Sequence, residues 1–437
     1  MKIKYLYIDG YKNLHNVEFF FEEGSTVNAI IGNNGSGKSN VLEALTIIFA
    51  AKYNNEPVPF KFDIVYVING SEYRISNREG DVFLREDKAV SKKDISKSLP
   101  RGLFLYYCGE TDRLKNMSLS YVDKAFEKAL KTDDEVAIKY ITFAGLREFP
   151  PAMLANAAYK NRTFERVCDL IGIESIGAPV VFHLHRPATW GKSAPVDAFW
   201  NARGSVATII AKLLQNGDKQ IINKDHVDIL FEQLSDVKLD SVNPFDLFVM
   251  YELLMQADVL ERISFDIIKD GVTISISELS EGEKQLAQLL CLLEATKEHR
   301  ALFLLDEFDS FLHPSWQRKF SEIISEIDIS GQVILTTHSP LTLGKMKKEN
   351  IRILKDGEVY SPSADTYNRD ITEVLEEIME VGKRPVDVDN AIRDFRNAAV
   401  HGNVAAAKTH LEALKEFLSP EDPFWVTAEH LMARLER

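Results

Sequence analysis

The stretch Gly32-Asn-Asn-Gly-Ser-Gly37-Lys38-Ser39 fits G-x-x-x-x-G-K-[ST], and no other feature of the chain restricts its folding as much. A loop of this composition curls so that successive backbone N–H groups point inward, an arrangement that suits phosphate oxygens. It requires a buried strand before it and a helix after it. Both are written here. Thr26 to Ile31 is a short apolar run, and Lys38 to Ala51 carries a helical stripe through Val41, Leu45, Ile48 and Phe49. Gly32, Asn33, Asn34, Gly35, Ser36 and Gly37 then form the cradle, with Asn40 on the first helical turn. The helix directs its positive dipole end at the bound anion. Lys38 is expected to reach the β- and γ-phosphates, and the Ser39 hydroxyl to bind Mg²⁺.

Around this anchor the pattern alternates. Lys4 to Asp9 and Val17 to Phe21 read as strands before the loop, and the run FDIVYVI, the turn Asn69-Gly70 and the run SEYRIS read as a hairpin. Leu103 to Tyr107 reads as a buried strand. From about Thr111 to Leu260 the pattern is mostly helical, clearest in KAFEKALK and RGSVATIIAKLLQ, with one short strand at Val180 to Leu184. A second hairpin signal surrounds Asp270-Gly271. Strands at Leu302 to Leu305, Val333 to Thr337 and Ile351 to Leu354 follow, separated by helices starting at Glu283 and Trp316. After Asp365 the pattern is helical, with apolar stripes through Ile371, Val374, Leu375, Ile378 and Met379 and through Leu411, Leu414 and Leu418. The fold class expected is α/β: a mixed, mostly parallel sheet plus antiparallel hairpins, a mainly helical insertion, and a C-terminal helical tail. Four segments follow: 1–110, an insertion or lid at 111–261, 262–365, and a helical partner or oligomerisation region at 366–437.

Three more motifs carry chemistry. Leu302-Phe-Leu-Leu-Asp306-Glu307 is an apolar strand ending in two carboxylates, with Asp306 placed for the Mg²⁺ shell and Glu307 as general base toward an attacking water. Alone such a run usually just ends a strand. Paired with the phosphate loop it gains meaning. Leu279-Ser280-Glu281-Gly282-Glu283-Lys284-Gln285 contains a capping box, Ser280 with Glu283, opening a helix. It is either only a cap, or Ser280 and Gly282 grip a γ-phosphate at that helix start. Thr336-Thr337-His338-Ser339-Pro340 ends the next strand, so His338 is a candidate sensor of the γ-phosphate.

Composition bounds the partners. With 437 residues, 45% hydrophobic and 27% charged, the chain suits two or three soluble globular units. No run of about 18 apolar residues predicts a membrane span, and the three well-separated cysteines point to a reducing, cytoplasmic setting. A net charge of −14 disfavours coating of nucleic acid by this chain alone, since phosphate contacts reward basic surfaces, and it suits the holding of a basic partner.

Taken in order, these four motifs resemble the ABC-type ATPase heads of the SMC, RecF and OLD families, over roughly residues 1–110 and 262–360. The resemblance implies ATP and Mg²⁺ as ligands and a Walker A loop at Gly32–Ser39. It also implies a signature at Leu279–Gln285, Walker B residues Asp306 and Glu307, and a switch histidine at His338. In such heads the signature of one copy completes the ATP site of another, so at least a head-to-head homodimer is implied. Lys12, in Gly10-Tyr11-Lys12-Asn13, stands where relatives often carry Phe-Arg near the nucleotide, a weaker phosphate contact. Two departures stand out. The usual Q-loop glutamine is missing, with Glu110 in its place, and Phe308 follows Glu307 where relatives often have proline. His313-Pro314 matches an OLD-like pattern. The compact insertion, the Leu-Ser-Glu-Gly-Glu signature and the short helical tail further resemble the ATPase subunits of Septu-type (PtuA) anti-phage systems, including those attached to retrons. That implies an HNH nuclease partner and nucleic acid reached through the complex.

The alternatives remain a RecF-like DNA-repair ATPase without a nuclease partner, and a stand-alone ATPase. The chain does not read as a nuclease itself: after His338 the pattern is mainly helical, and Asp387-x-Asp389 reads as a helix start. His183 and His185, two apart on a strand, lack further ligands and read as ordinary packing. Arg186, Trp190 and Lys192 nearby are weaker candidates for contact with a nucleic acid strand.

Overall fold

The computed structural model describes residues 1–90, 98–100, 102–107, 140–143, 145, 147–191, 194–297, 301–327, 329–362 and 386–435. Glu110, Lys192, the KAFEKALK segment and the 371–379 stripe lie outside the described residues. The chain divides into two compact units, Met1–Tyr367 and Asn368–Arg437.

A seven-stranded sheet forms the centre of the first unit. Its order from one edge is Glu358–Tyr360, Ile351–Lys355, Val27–Ile31, Gln332–Thr336, Ala301–Asp306, Gly102–Tyr107 and Tyr140–Phe143. All neighbours are parallel except the first pair. Val27–Ile31 and Ala301–Asp306 are near-continuous apolar runs, as strands covered on both faces require. The helix Lys38–Asn54 packs on this sheet, where Val41, Leu45, Ile48 and Phe49 have almost no solvent exposure.

A six-stranded antiparallel sheet contains Lys2–Asp9, Val17–Phe20 and the hairpin Lys61–Ile68 with Ser71–Ser76. Asn69 and Gly70 both have positive φ (52° and 75°), the twist that a two-residue turn between strands prefers. Phe49 meets Tyr66 edge-on at 5.9 Å and joins helix to sheet. Each such buried ring is worth about 1.5–3 kcal/mol.

The insertion contains the helices Phe149–Tyr159, Arg162–Ile171, Gly204–Asn216 and Pro244–Gln256. It also contains more strand than the single one expected. Val180–His185 pairs with His226–Phe231 and Leu260–Ser264, and Asp218–Asn223 forms an edge, giving a four-stranded antiparallel sheet. The Asp270-Gly271 hairpin, Asp266–Lys269 with Val272–Ser275, pairs with Ile173–Ile176 of the insertion.

In the second unit Val386–Val400, Val404–Leu414 and Phe424–Leu435 surround a small core with Phe395, Leu414, Leu418 and Phe424. Asp387 and Asp389 lie in the first turn of their helix, where carboxylates favour the dipole. Among the described residues no helix is long and apolar enough to cross a membrane.

Candidate nucleotide site

Three adjacent parallel strands end at one edge of the central sheet, and each ends in a motif. Val27–Ile31 leads into the glycine loop, Gln332–Thr336 into His338, and Ala301–Asp306 into Glu307. Ligands of open α/β sheets bind outside the carboxyl ends of the strands.

Gly32 has φ +154°, and a Cβ there would lie 2.2 Å from the Leu354 carbonyl oxygen, so only glycine fits between loop and neighbouring strand. The Lys38 amine donates to the carbonyls of Gly32 (2.9 Å) and Asn33 (3.1 Å), which folds it back across the loop. Burial lowers its pKa, and the charges of Glu307 and Asp306 oppose that shift. Asn33, Asn34 and Gly35 are exposed at the tip, where Ser36 N–H donates to the Asn33 carbonyl at 3.1 Å. The helix behind the loop has no side-chain cap and no acidic residue in its first turn, and the Ser36 Oγ is buried without a hydrogen-bond partner. Unsatisfied donors of this kind suit an anion. A polyphosphate therefore fits the loop.

Ser39 Oγ donates to Asp306 Oδ1 at 3.1 Å, and Thr336 Oγ1 donates to the same oxygen at 2.5 Å. Burial pushes the Asp306 carboxyl up despite those two hydroxyls. A hydroxyl beside a carboxylate that is costly to bury is a donor set suited to a hard divalent cation. Glu307 follows with φ +48°, a left-handed conformation uncommon for a side chain of this size, and its N–H donates to Thr336 Oγ1 at 2.9 Å. This turn lifts the Glu307 carboxylate out of the strand, so that it is 40% exposed. His338 Nε2 lies 3.9 Å from Glu307 Oε1. Burial and then the Lys38 charge lower the His338 pKa, and the charges of Glu307, Asp309 and Asp306 oppose that shift.

The structure therefore brings Lys38, Ser39, Asp306, Glu307 and His338 together. Lys12 is held differently: its amine pairs with the buried Glu43 carboxylate and donates to Asn40 Oδ1 at 3.4 Å. Asn13 is a residue that motif reading missed. Its Nδ2 donates to the Gly35 carbonyl at 3.0 Å, and its Oδ1 accepts from Asn40 Nδ2 at 2.7 Å, which braces the loop from outside. The one available signal was its position beside Lys12.

Ser280 caps the helix Glu281–Thr296, and the reciprocal Glu283 bond completes a capping box. Glu283 also pairs with Lys269. A Cβ on Gly282 would lie 2.7 Å from the Phe311 carbonyl oxygen, so the glycine lets this helix start approach the turn after Glu307. Among the described residues, no hydrogen bond or ion pair links Ser280, Gly282 or Glu283 to the glycine loop of the same chain. His313 caps the helix Pro314–Glu326 by accepting from Ser315 N–H at 3.3 Å. In the insertion, His183 bonds Asp228 (2.9 Å) and Ser264 (2.7 Å) and so is satisfied within its sheet. Among the described residues no group of three or more His, Cys, Asp or Glu side chains is arranged to hold a metal ion.

Comparisons with known proteins bear on the family of the chain. Residues 1–149 match the family described as "AAA ATPase domain", and residues 126–344 match "AAA domain, putative AbiEii toxin, Type IV TA system". The chain is similar to the "Retron Vc95 probable ATPase" of Vibrio cholerae serotype O1 biovar El Tor, at 22% identity over 98% of this chain and 88% of that protein. It also resembles the "Septu protein PtuA" of Bacillus thuringiensis, at 27% identity over 29% of this chain and 34% of that protein. The SMC head domain from Thermotoga maritima superposes with a TM-score of 0.37 at 16% identity, covering 83% of this chain and all of that one. The α/β assignment rests on the strand order above and not on that superposition. The second family match spans just over half of the chain, and the protein is a member of the AAA-domain family described as "AAA domain, putative AbiEii toxin, Type IV TA system", a nucleotide-binding ATPase.

Proposed function

We propose that this ATPase is the regulatory subunit of an anti-phage defence complex, in which two copies enclose ATP and control an associated HNH nuclease. The observation that carries the dimer is the separation of the signature from its own loop. Among the described residues Ser280 and Gly282 stand at a helix N-terminus that makes no hydrogen bond to Gly32–Ser39 of the same chain, which supports a reading in which a second copy brings them to a γ-phosphate. The defence role is supported by similarity to a retron-associated ATPase along almost the whole chain and to PtuA over part of it.

In this reading the loop amides and Lys38 hold the β- and γ-phosphates of ATP, and Ser39 and Asp306 hold Mg²⁺, which supplies charge neutralisation. Glu307 accepts a proton from the attacking water, and His338 contacts the γ-phosphate. The test is purification of the tagged protein from its native locus with ATP present, with mass spectrometry of what co-elutes. A stoichiometric protein bearing an HNH motif supports the reading. A homodimer that retains DNA and no nuclease overturns it in favour of a repair ATPase.

A further inference from the structure

Asp309 has no assigned role, yet the residue is 3% exposed and bonds from the turn that carries Glu307 to the segment that carries His338. Its Oδ2 accepts hydrogen bonds from two hydroxyls, those of Thr337 and Thr342, the latter at 2.5 Å. Both threonines are fully buried, and they flank His338 on either side. The Thr337 hydroxyl in turn accepts from the Ser339 N–H at 2.8 Å. Gln317 closes the arrangement from the next helix. Its Nε2 donates to the carbonyls of Asp309 and Leu312, both at 2.9 Å, and its Oε1 accepts from Ser339 Oγ at 2.7 Å. The turn that carries Glu307 and the turn that carries His338 are thereby fastened together by side chains through one buried carboxylate and one amide.

We propose that Asp309 is a positioning residue for ATP hydrolysis, holding the 337–342 segment so that His338 stands beside Glu307 at the γ-phosphate. Burying a carboxylate is costly unless its oxygens are hydrogen-bonded, and here the hydroxyls that satisfy it belong to the switch segment itself. Removing the carboxylate leaves two buried hydroxyls without their acceptor and frees the segment to shift. His338 Nε2 and Glu307 Oε1 are 3.9 Å apart, so a displacement of about 1 Å is enough to misplace the pair, a change that costs on the order of 10²-fold in rate. Asp309 touches neither the loop nor Ser39 through any hydrogen bond among the described residues, so nucleotide binding is left intact.

This inference rests on the reading of His338 given above, and the experiment separates the two. Steady-state ATP hydrolysis is measured for the full chain, together with fluorescent-nucleotide binding, in Asp309→Ala, Asp309→Asn, Thr342→Val, His338→Ala and the Asp309→Ala/His338→Ala double variant. Asp309→Ala is expected to lower kcat about 10- to 100-fold, the usual cost of losing an orienting partner, with unchanged ATP affinity. Asp309→Asn, which keeps an acceptor oxygen of the same shape, recovers most of that loss. Thr342→Val lowers kcat in the same direction. The double variant is no slower than His338→Ala, because both changes act through one residue. Wild-type kcat in Asp309→Ala, or a full additional loss in the double variant, overturns the role of Asp309 while leaving that of His338 standing. If Asp309→Ala does not fold, wild-type kcat in Thr342→Val overturns it instead. Wild-type kcat in His338→Ala sinks the reading of His338, and the inference with it.

Discussion

Lys38 spends its donors on the Gly32 and Asn33 carbonyls, and its burial already disfavours the charged form. Phosphate oxygens would replace those carbonyls with charge-assisted bonds, worth about 1.5–3 kcal/mol each. Lys38→Ala should therefore weaken ATP binding by about 10- to 150-fold, read by nucleotide titration. Binding at wild-type strength would remove the phosphate-loop assignment. Glu307→Gln keeps the side-chain shape and should bind ATP normally while kcat drops about 10²- to 10⁴-fold, the share of a general base. Hydrolysis at the wild-type rate in that variant would exclude Glu307 from the role. That Lys38, Ser39 and Asp306 stand together at strand ends was legible because a short motif places each of them after or at the end of a strand. Asn13 and Asp309 were not legible. Asn13 earns its place through a bond to Gly35 22 positions away, and Asp309 through Thr342 33 positions away, and neither separation leaves a local pattern.

Turn chemistry decided which elements could be read in advance. Asn69-Gly70 and Asp270-Gly271 announce their hairpins because both positions need positive φ. The hairpin Asp218–Asn223 with His226–Phe231 has Lys224-Asp225 at its turn and the adjacent pair Ile221-Ile222 breaking its alternation, so neither turn nor pattern announces it in the sequence. The helix Pro244–Gln256 offers a test of another kind. Its Glu252 is 3% exposed, and burial, followed by the charge of Glu148, pushes the carboxyl well above the usual range. The folded state then keeps a proton that the unfolded chain sheds, so this group's contribution to stability falls as pH rises from the ordinary glutamate range toward the raised folded value. Glu252→Gln removes that dependence. The variant should melt at a higher temperature than the wild type at pH 7–8, and the gain should vanish near pH 4. A lower Tm at neutral pH would mean that the charged form is stabilised by groups other than those described.

At the scale of the whole molecule, the proposed dimer places one copy against the helix Glu281–Thr296 of the other. Glu307→Gln with ATP should run as a dimer by light scattering, and adding Ser280→Arg should return it to a monomer. Loss of the cap itself costs only about 1 kcal/mol, so folding survives. A monomer in the first case, or a dimer in the second, would refute the shared site. The central sheet has a further consequence. The loop strand Val27–Ile31 is flanked on both sides by strands from the far end of the chain, and Asn28 bonds Gln332 across 304 positions. At a synthesis rate of about 5–20 residues per second, the strand waits roughly 15–60 s on the ribosome with both of its edges unpaired. During that interval the finished N-terminal segment has its glycine loop but not Asp306, Glu307 or His338. In the proposed reading, hydrolysis is thus gained late in translation, and a stalled or truncated product carries the loop strand without the strands that pair with it.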